Sequence, residues 1–154
     1  MTTQNILTTR QITEPKERYD YLSSKMGKSV IVFWERIFYF ALELSHDDFH
    51  VSESVYGDTI WESVEVSNGA FYVIPHSIPQ DSFECSWAGN YFEGELSKDA
   101  FGIVVSLYAF NALAWAFADR SEKLQEQFVT LYYALRDYAL DHHPERSSIA
   151  RAID

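Results

Sequence analysis

One cysteine, Cys85, stands in 154 residues, so neither an intramolecular disulfide framework nor a multi-cysteine zinc site can be built, and the usage suits a reducing cytoplasm. Basic side chains are scarce as well: 12 against 23 acidic ones, a formal net charge of −11. That field repels nucleic acid, so direct nucleic-acid binding is not expected. The opening MTTQNILTTRQITEP has no apolar core of signal-peptide length and does not read as an export signal. A phosphate-cradling glycine pattern, an HExxH pair and a GxSxG elbow are all missing, which removes the commonest signatures of nucleotide, zinc-protease and hydrolase chemistry. No internal repeat or low-complexity tract is visible.

What is present is apolar. With 47% hydrophobic and 16% aromatic residues the composition is not that of a disordered chain, and a single domain over 1–154 can bury a substantial core. The acidity is uneven. Residues 1–36 carry six basic and four acidic groups, residues 37–100 twelve acidic groups and Lys98 alone, and residues 101–154 seven acidic and five basic groups. The imbalance therefore sits in the middle third, where it reads either as a solvated face that keeps the protein soluble or as a surface for a basic partner.

Along the chain, residues 1–14 are polar and read as a flexible arm up to Pro15. A short helix is predicted over Lys16–Met26, with Gly27 placed to end it. SVIVFWERIFYFALELS opens with β-branched residues, but Trp34, Ile37, Phe38, Ala41 and Leu42 recur at helical spacing, which predicts a helix from about Val32 to Leu44. Residues 45–60 read as an acidic connection. The period then changes to two. WESVEVSNGAFYVIP gives two strands around Ser67-Asn68-Gly69, and SFECSWAGNYFEGEL gives two more around Gly89-Asn90. Phe83, Cys85 and Trp87 alternate with Ser82, Glu84 and Ser86, so Cys85 reads as a core residue. Four short strands with tight connections predict an antiparallel meander over roughly residues 61–96.

Ser97 stands as an N-cap, with Asp99 in the first turn, before a run from Ala100 to Ala118 that holds no charge. At ~1.5 Å per residue the run is about as long as a bilayer core is thick. Asp99 and Asp119 fence both ends, Lys98 balances Arg120, and an apolar strand face and an amphipathic helix adjoin it. The run therefore reads as a buried core helix over 98–118 rather than a lipid span. Gly102, Ser106 and Ala109 form a small-residue stripe on it. Ser121 opens a further helix whose face is Leu124, Phe128, Leu131, Leu135 and Tyr138, and Pro144 allows a last short one. The expected class is α+β: a small antiparallel sheet of three to four strands packed against four to five helices.

Three groups of residues could carry chemistry. His46 and His50, with Asp47 and Asp48, have helical i, i+4 spacing but lie in a loop-like segment without a third strong ligand, so no metal or cofactor is expected there. RDYALDHHPER concentrates Arg136, Asp137, Asp141, His142, His143, Glu145 and Arg146 at a helix end. It reads as a polar interaction surface, as a nuclease-like metal cluster spanning Asp137 to Glu145, or simply as a solvated helix end where His142 and His143 satisfy free carbonyls. Asp154 opposes the dipole of the last helix unless Arg151, Arg146 or a partner relieves it.

The segments SNGAFYVIP, GNYFEGELSKDAFGIVVSLYAFNALAWAF, YYALRDYALDHHPE and SIARAID resemble the ArdB/KlcA antirestriction family, carried on plasmids and other mobile elements. The resemblance covers roughly residues 60–154, and the N-terminal third in outline. The doubled His142-His143 departs from the single-histidine form of that family. The resemblance implies a small cytoplasmic α+β protein, not an enzyme and without a cofactor. It would protect incoming DNA by antagonising type I restriction–modification through contact with that complex or an associated host factor, without a membrane. Candidate contact residues are Glu62, Glu65, Glu93 and Glu95 in the strands, Arg136, Asp137, Asp141, His142 and Glu145 at the helix end, and Arg151 and Asp154 near the terminus. An acidic DNA mimic is the alternative, but it needs carboxylates spread along an elongated surface, which compact strands fit poorly.

Overall fold

The computed structural model describes residues 6–45, 61–76 and 81–154. Strand β1 (Thr9–Ile12) leads into α1 (Pro15–Met26), where Pro15 occupies the first turn and Glu14 accepts the backbone N–H groups of Lys16 and Glu17 at 3.2 and 2.8 Å. These groups have no partner within a helix, so cap and proline together fix where α1 starts. Gly27 ends it at φ +55°, a left-handed conformation that glycine adopts without a Cβ penalty. One 3-10 turn over Gly27–Ser29 then redirects the chain into α2 (Val30–Ser45). The α2 face that goes inside is Phe33, Ile37, Ala41 and Leu44, so Leu42, expected inside, is 39% exposed.

Strands β2 (Trp61–Val66) and β3 (Phe71–Pro75) form the expected hairpin, with Gly69 at φ +94° in its turn. Strands β4 (Ser82–Trp87) and β5 (Phe92–Ser97) form the second, and Cys85 is buried beside Phe83 as its alternation required. The four strands do not make one meander. β1, β2 and β3 form a three-stranded antiparallel sheet in that order, and β4–β5 is a separate pair. The polar arm thus contributes a strand, with Thr9 opposite Val66 and Ile12 opposite Ser63. Ile12 supplies its apolar anchor, being 1% exposed. A four-residue strand with one buried side chain leaves too faint a period to be read from sequence.

The sheets part because a helix, not β4, attends to β3. Helix α3 (Lys98–Ala116) starts at Ser97, whose Oγ accepts the Ala100 N–H, and packs against β3, α2 and helix α4 (Glu122–Asp141). The Val73 N–H of β3 is donated to Ser106 Oγ on α3 at 3.1 Å. One turn earlier sits Gly102: a Cβ there would lie 2.3 Å from Val73 O and 2.7 Å from Ile74 Cγ2. The small-residue stripe is therefore the seat of β3. Phe110 of α3 carries the core outward, meeting Phe71 of β3 edge to face at 5.3 Å between ring centroids and Phe33 of α2 in a stack at 5.7 Å. Helix α4 brings Phe128, Leu131 and Leu135 to the same core, and α5 (Arg146–Ile153) closes the end with Ile149 and Ala152.

By length and composition α3 could cross a bilayer, with a mean hydropathy of 1.4, but 67% of that window is buried inside the protein. Its outward side is Asn111, Trp115 and Ala116, so Trp115, expected on a buried face, is 74% exposed. A run apolar all round carries no mark of which side its neighbours leave uncovered.

Three substitutions test this arrangement. Val105→Asp or Leu107→Asp puts a carboxylate where exposure is 0% and 1%. An unpaired buried charge costs several kcal/mol, a large part of a domain's stability, so near-UV circular dichroism should show the native packing lost. Gly102→Ala gains ~1 kcal/mol of helix propensity, yet the clash with β3 should prevail and lower stability by about 1–3 kcal/mol net. An unchanged or raised Tm would show that β3 can move aside.

Candidate functional site

Five polar residues from four elements meet where α3 begins. Tyr72 comes from β3, Ser97 from the end of β5, Asp99 from the first turn of α3, and His143 and Glu145 from the connection between α4 and α5. The Asp99 carboxylate accepts Tyr72 OH at 2.7 Å on one oxygen and meets His143 Nε2 at 2.6 Å on the other. His143 Nδ1 accepts the Glu145 N–H at 3.0 Å, so the ring hydrogen sits on Nε2 and is donated to Asp99. The Glu145 carboxylate accepts the Ser97 N–H at 3.1 Å and also the Ser97 hydroxyl. A continuous hydrogen-bonded chain thus runs Tyr72, Asp99, His143, Glu145, Ser97.

Both carboxylates lie at the positive end of the α3 dipole, where negative charge is favoured. His143 is 3% exposed and Tyr72 1%, while the Asp99 side chain is 42% exposed and forms the outer edge of the network. Burial, reinforced by the Asp99 charge, drives the Tyr72 hydroxyl far above the usual tyrosine range. Burial first and Asp99 second also raise Tyr138, whose ring stacks on Tyr72 at 6.3 Å and meets His143 edge-on at 6.0 Å.

Chemically this is a clasp. The Ser97 hydroxyl gives its hydrogen to Glu145 and accepts from Ala100, and both His143 nitrogens are engaged. The serine and the histidine are therefore not set as nucleophile and base. In the sequence Ser97 is legible as an N-cap and Asp99 as a dipole partner, whereas Tyr72 carries no local signal and His143 reads as a partner of free carbonyls. Residues 99 and 143 lie 44 positions apart, and nothing in the sequence pairs them.

The residues expected at a contact surface are scattered. Glu62 is 3% exposed, accepting Gln11 Nε2 at 2.8 Å and meeting His76 Nδ1 at 2.6 Å, so it offers no solvated carboxylate. A sheet face covered on both sides overrode its polar character. Glu65 is half-buried beside Arg10 at 3.8 Å. Glu93 and Glu95 are exposed on the outer face of the β4–β5 pair, where Glu95 stands directly opposite Glu84 and accepts Ser82 Oγ at 2.6 Å. Around the helix end, Asp137, Asp141 and His142 are exposed and Arg136 is half-buried, whereas Glu145 turns inward to Ser97. Among the described residues no three His, Cys, Asp or Glu side chains are grouped to hold a metal ion; the His46–His50 stretch lies outside them.

Arg151 donates to Glu93 O at 3.2 Å and lies 5.5 Å over the Phe92 ring, and Asp154 is exposed. The end of α5 is satisfied by polar donors rather than cations. Asn90 Nδ2 reaches the carbonyls of Arg151 and Ala152 at 3.2 and 2.9 Å, and Tyr108 OH donates to the latter. Burial, with Tyr132 nearby, pushes Tyr108 up to about 12.

Comparison with known proteins adds an independent observation. Residues 54–154 match the antirestriction protein family. Over its full length the chain is 32% identical to the antirestriction protein KlcA of Escherichia coli, covering 100% of both. It is 27% identical over 103 residues to the putative antirestriction protein YubI of Escherichia coli K12, covering 64% of this chain and 68% of YubI. A solved structure from work on the KlcA and ArdB proteins superposes with a TM-score of 0.77 at 31% identity, covering 100% of each chain. That work describes a novel fold and antirestriction activity against type I DNA restriction systems in vivo but not in vitro.

The clasp predicts a sharp contrast between a carboxylate within it and one outside it. Asp99→Asn leaves buried donors mismatched and should cost about 1–3 kcal/mol in denaturant unfolding, whereas the exposed Asp141→Asn should stay within ~0.5 kcal/mol of the parent. The raised tyrosines fix the sign of the alkaline response. The unfolded chain releases Tyr108's proton near 10, while the folded chain holds it until about 12. Stability from this group is therefore complete below about pH 10 and falls as pH rises above it, which unfolding curves and tyrosinate absorbance will register.

Proposed function

Because this chain belongs to the antirestriction protein family, we propose that it antagonises type I restriction–modification by contact between proteins rather than by catalysis. The observation that carries the reading is the full-length correspondence, in sequence and in fold, with KlcA-type antirestriction proteins. The engagement of Ser97 and His143 within the clasp supports a non-catalytic role. The partner is the type I complex or an associated host factor in the cytoplasm. For the KlcA and ArdB proteins activity is described in vivo and not in vitro, which favours a component supplied by the cell.

Two other readings lose ground. A metal enzyme built on Asp137 to Glu145 needs ligands that converge, and Glu145 is committed to Ser97. A DNA mimic needs a continuous array of free carboxylates, and Glu62 is buried while Glu65 lies beside Arg10.

In a host carrying a type I system, expression of this protein should raise the plating efficiency of unmodified phage, with no effect in a host without restriction and with methylation of host DNA retained. Equal plating with and without the protein overturns the proposal. Reversing Glu93 and Glu95 together to lysine should weaken protection and leave part of it. Complete loss with an unchanged melting curve would favour mimicry instead.

A further inference from the structure

The loop between β4 and β5 uses its residues in an unexpected order. Ala88, Gly89, Asn90 and Tyr91 lie between the paired Trp87 and Phe92. Glycine and asparagine enter the left-handed region most readily, yet it is Tyr91 that stands there, at φ +58°. Among the described residues no other side chain but glycine has a positive φ. Asn90 is occupied otherwise: its Nδ2 reaches the carbonyls of Arg151 and Ala152, and its Oδ1 accepts the Phe92 N–H at 3.0 Å. A bulky residue at positive φ carries a backbone cost that packing of its side chain normally offsets. Here nothing inside offsets it. Tyr91 is 94% exposed, and no described residue engages its ring or hydroxyl.

The loop is firmly based, because Asn90 ties it to the end of α5 and Arg151 lies 5.5 Å over the Phe92 ring. A tyrosine on a fixed base loses little freedom on binding, and tyrosine is among the side chains enriched at the hot spots of protein interfaces. Charge then selects the partner. Glu84 and Glu95 stand directly opposite each other on the strands behind the loop, and Glu93 lies opposite Ser86. Like charges so placed destabilise a hairpin. Residues 82–97 contain no Lys or Arg, and among the described residues no ion pair reaches these three carboxylates. Arg151 meets the Glu93 backbone carbonyl rather than its carboxylate. Such a face repels phosphates, which sets aside nucleic acid and anionic lipid, and it attracts a protein surface bearing Lys or Arg. One hairpin thus holds two locally unfavourable arrangements, and a single basic partner would relieve the second while using the first.

We propose that Tyr91 is the anchor of a protein–protein contact, its ring entering an apolar pocket of the partner whose Lys or Arg rim meets Glu93 and Glu95. Which protein supplies the pocket rests on the antirestriction reading above; the anchoring role of Tyr91 does not.

The test uses the full-length protein. Tyr91→Asn suits the left-handed backbone and removes no internal contact, so it should melt no lower than the parent. In the phage-plating assay it should nevertheless protect at least tenfold less, whereas Tyr91→Phe, which keeps the ring, should protect as the parent does. A lower melting temperature for Tyr91→Asn would show that the tyrosine serves the fold, and undiminished protection would show that the loop is idle. Either result overturns the proposal, as does loss of protection in Tyr91→Phe. A photoreactive phenylalanine analogue placed at position 91 in the same cells gives a readout independent of restriction. It should form one crosslinked heterodimer, diminished by the Glu93→Lys, Glu95→Lys pair. No product, a product indifferent to that charge reversal, or a crosslinked homodimer overturns the proposal. If the parent protects while Tyr91→Asn protects equally, the anchor falls and the antirestriction reading stands. If the parent itself gives no protection, that reading falls, and the crosslink alone upholds or overturns the anchor.

Discussion

Everything in this fold is arranged around how closely α3 can lie on β3. Gly102 removes the side chain that would strike the Val73 carbonyl, and Ser106 takes the Val73 N–H that an edge strand would otherwise leave unpaired. Close approach and hydrogen bonding are thus solved by residues one turn apart. Because β3 is sealed by a helix, β4 and β5 are free to form a separate pair, and the described residues make two small sheets instead of one. Phe110, two turns beyond Gly102, then gathers Phe33 and Phe71 into one aromatic cluster.

The clasp at the start of α3 extends the same logic to polar groups. A helix N-terminus presents N–H groups that need acceptors, and here Asp99 of the first turn is joined by Glu145, which comes from 48 residues beyond Ser97 to accept its N–H. Each is held by further donors: Tyr72 and His143 on Asp99, Ser97 on Glu145. Removing one partner leaves the others buried and mismatched, which gives the network a stake in the fold beyond any single bond. The outer face of β4–β5, with Glu93 and Glu95 exposed, carries no such obligation to the interior.

Much of this was legible in the sequence because period and punctuation agreed there. Ser97, Ser121, Gly27 and Gly69 mark the boundaries they seemed to mark, and the uncharged run is the central helix. What was not legible depends on which surfaces meet. Nothing in TRQI announces a strand, since one buried isoleucine has no period. Glu62 looks like half of a polar alternation until both faces of its strand are covered. Trp115 looks like core until the packing around α3 stops short of it. The clasp is the extreme case: His143 and Asp99 acquire their meaning only from each other, and no local pattern links them.

The end of α5 has a temporal consequence. Its last carbonyls are held by Asn90 and Tyr108, and the clasp needs Glu145 to reach back to Ser97, a span of 48 residues. On the ribosome, the hairpin β4–β5 and helix α3 emerge before the segment that satisfies them, leaving the start of α3 without Glu145 and Asn90 without its carbonyls. Until residues 143–152 follow, Ser97 and Asn90 lack these partners. The polar seams at the start of α3 and the end of α5 are therefore closed by residues far from each other along the chain, not by neighbours in sequence.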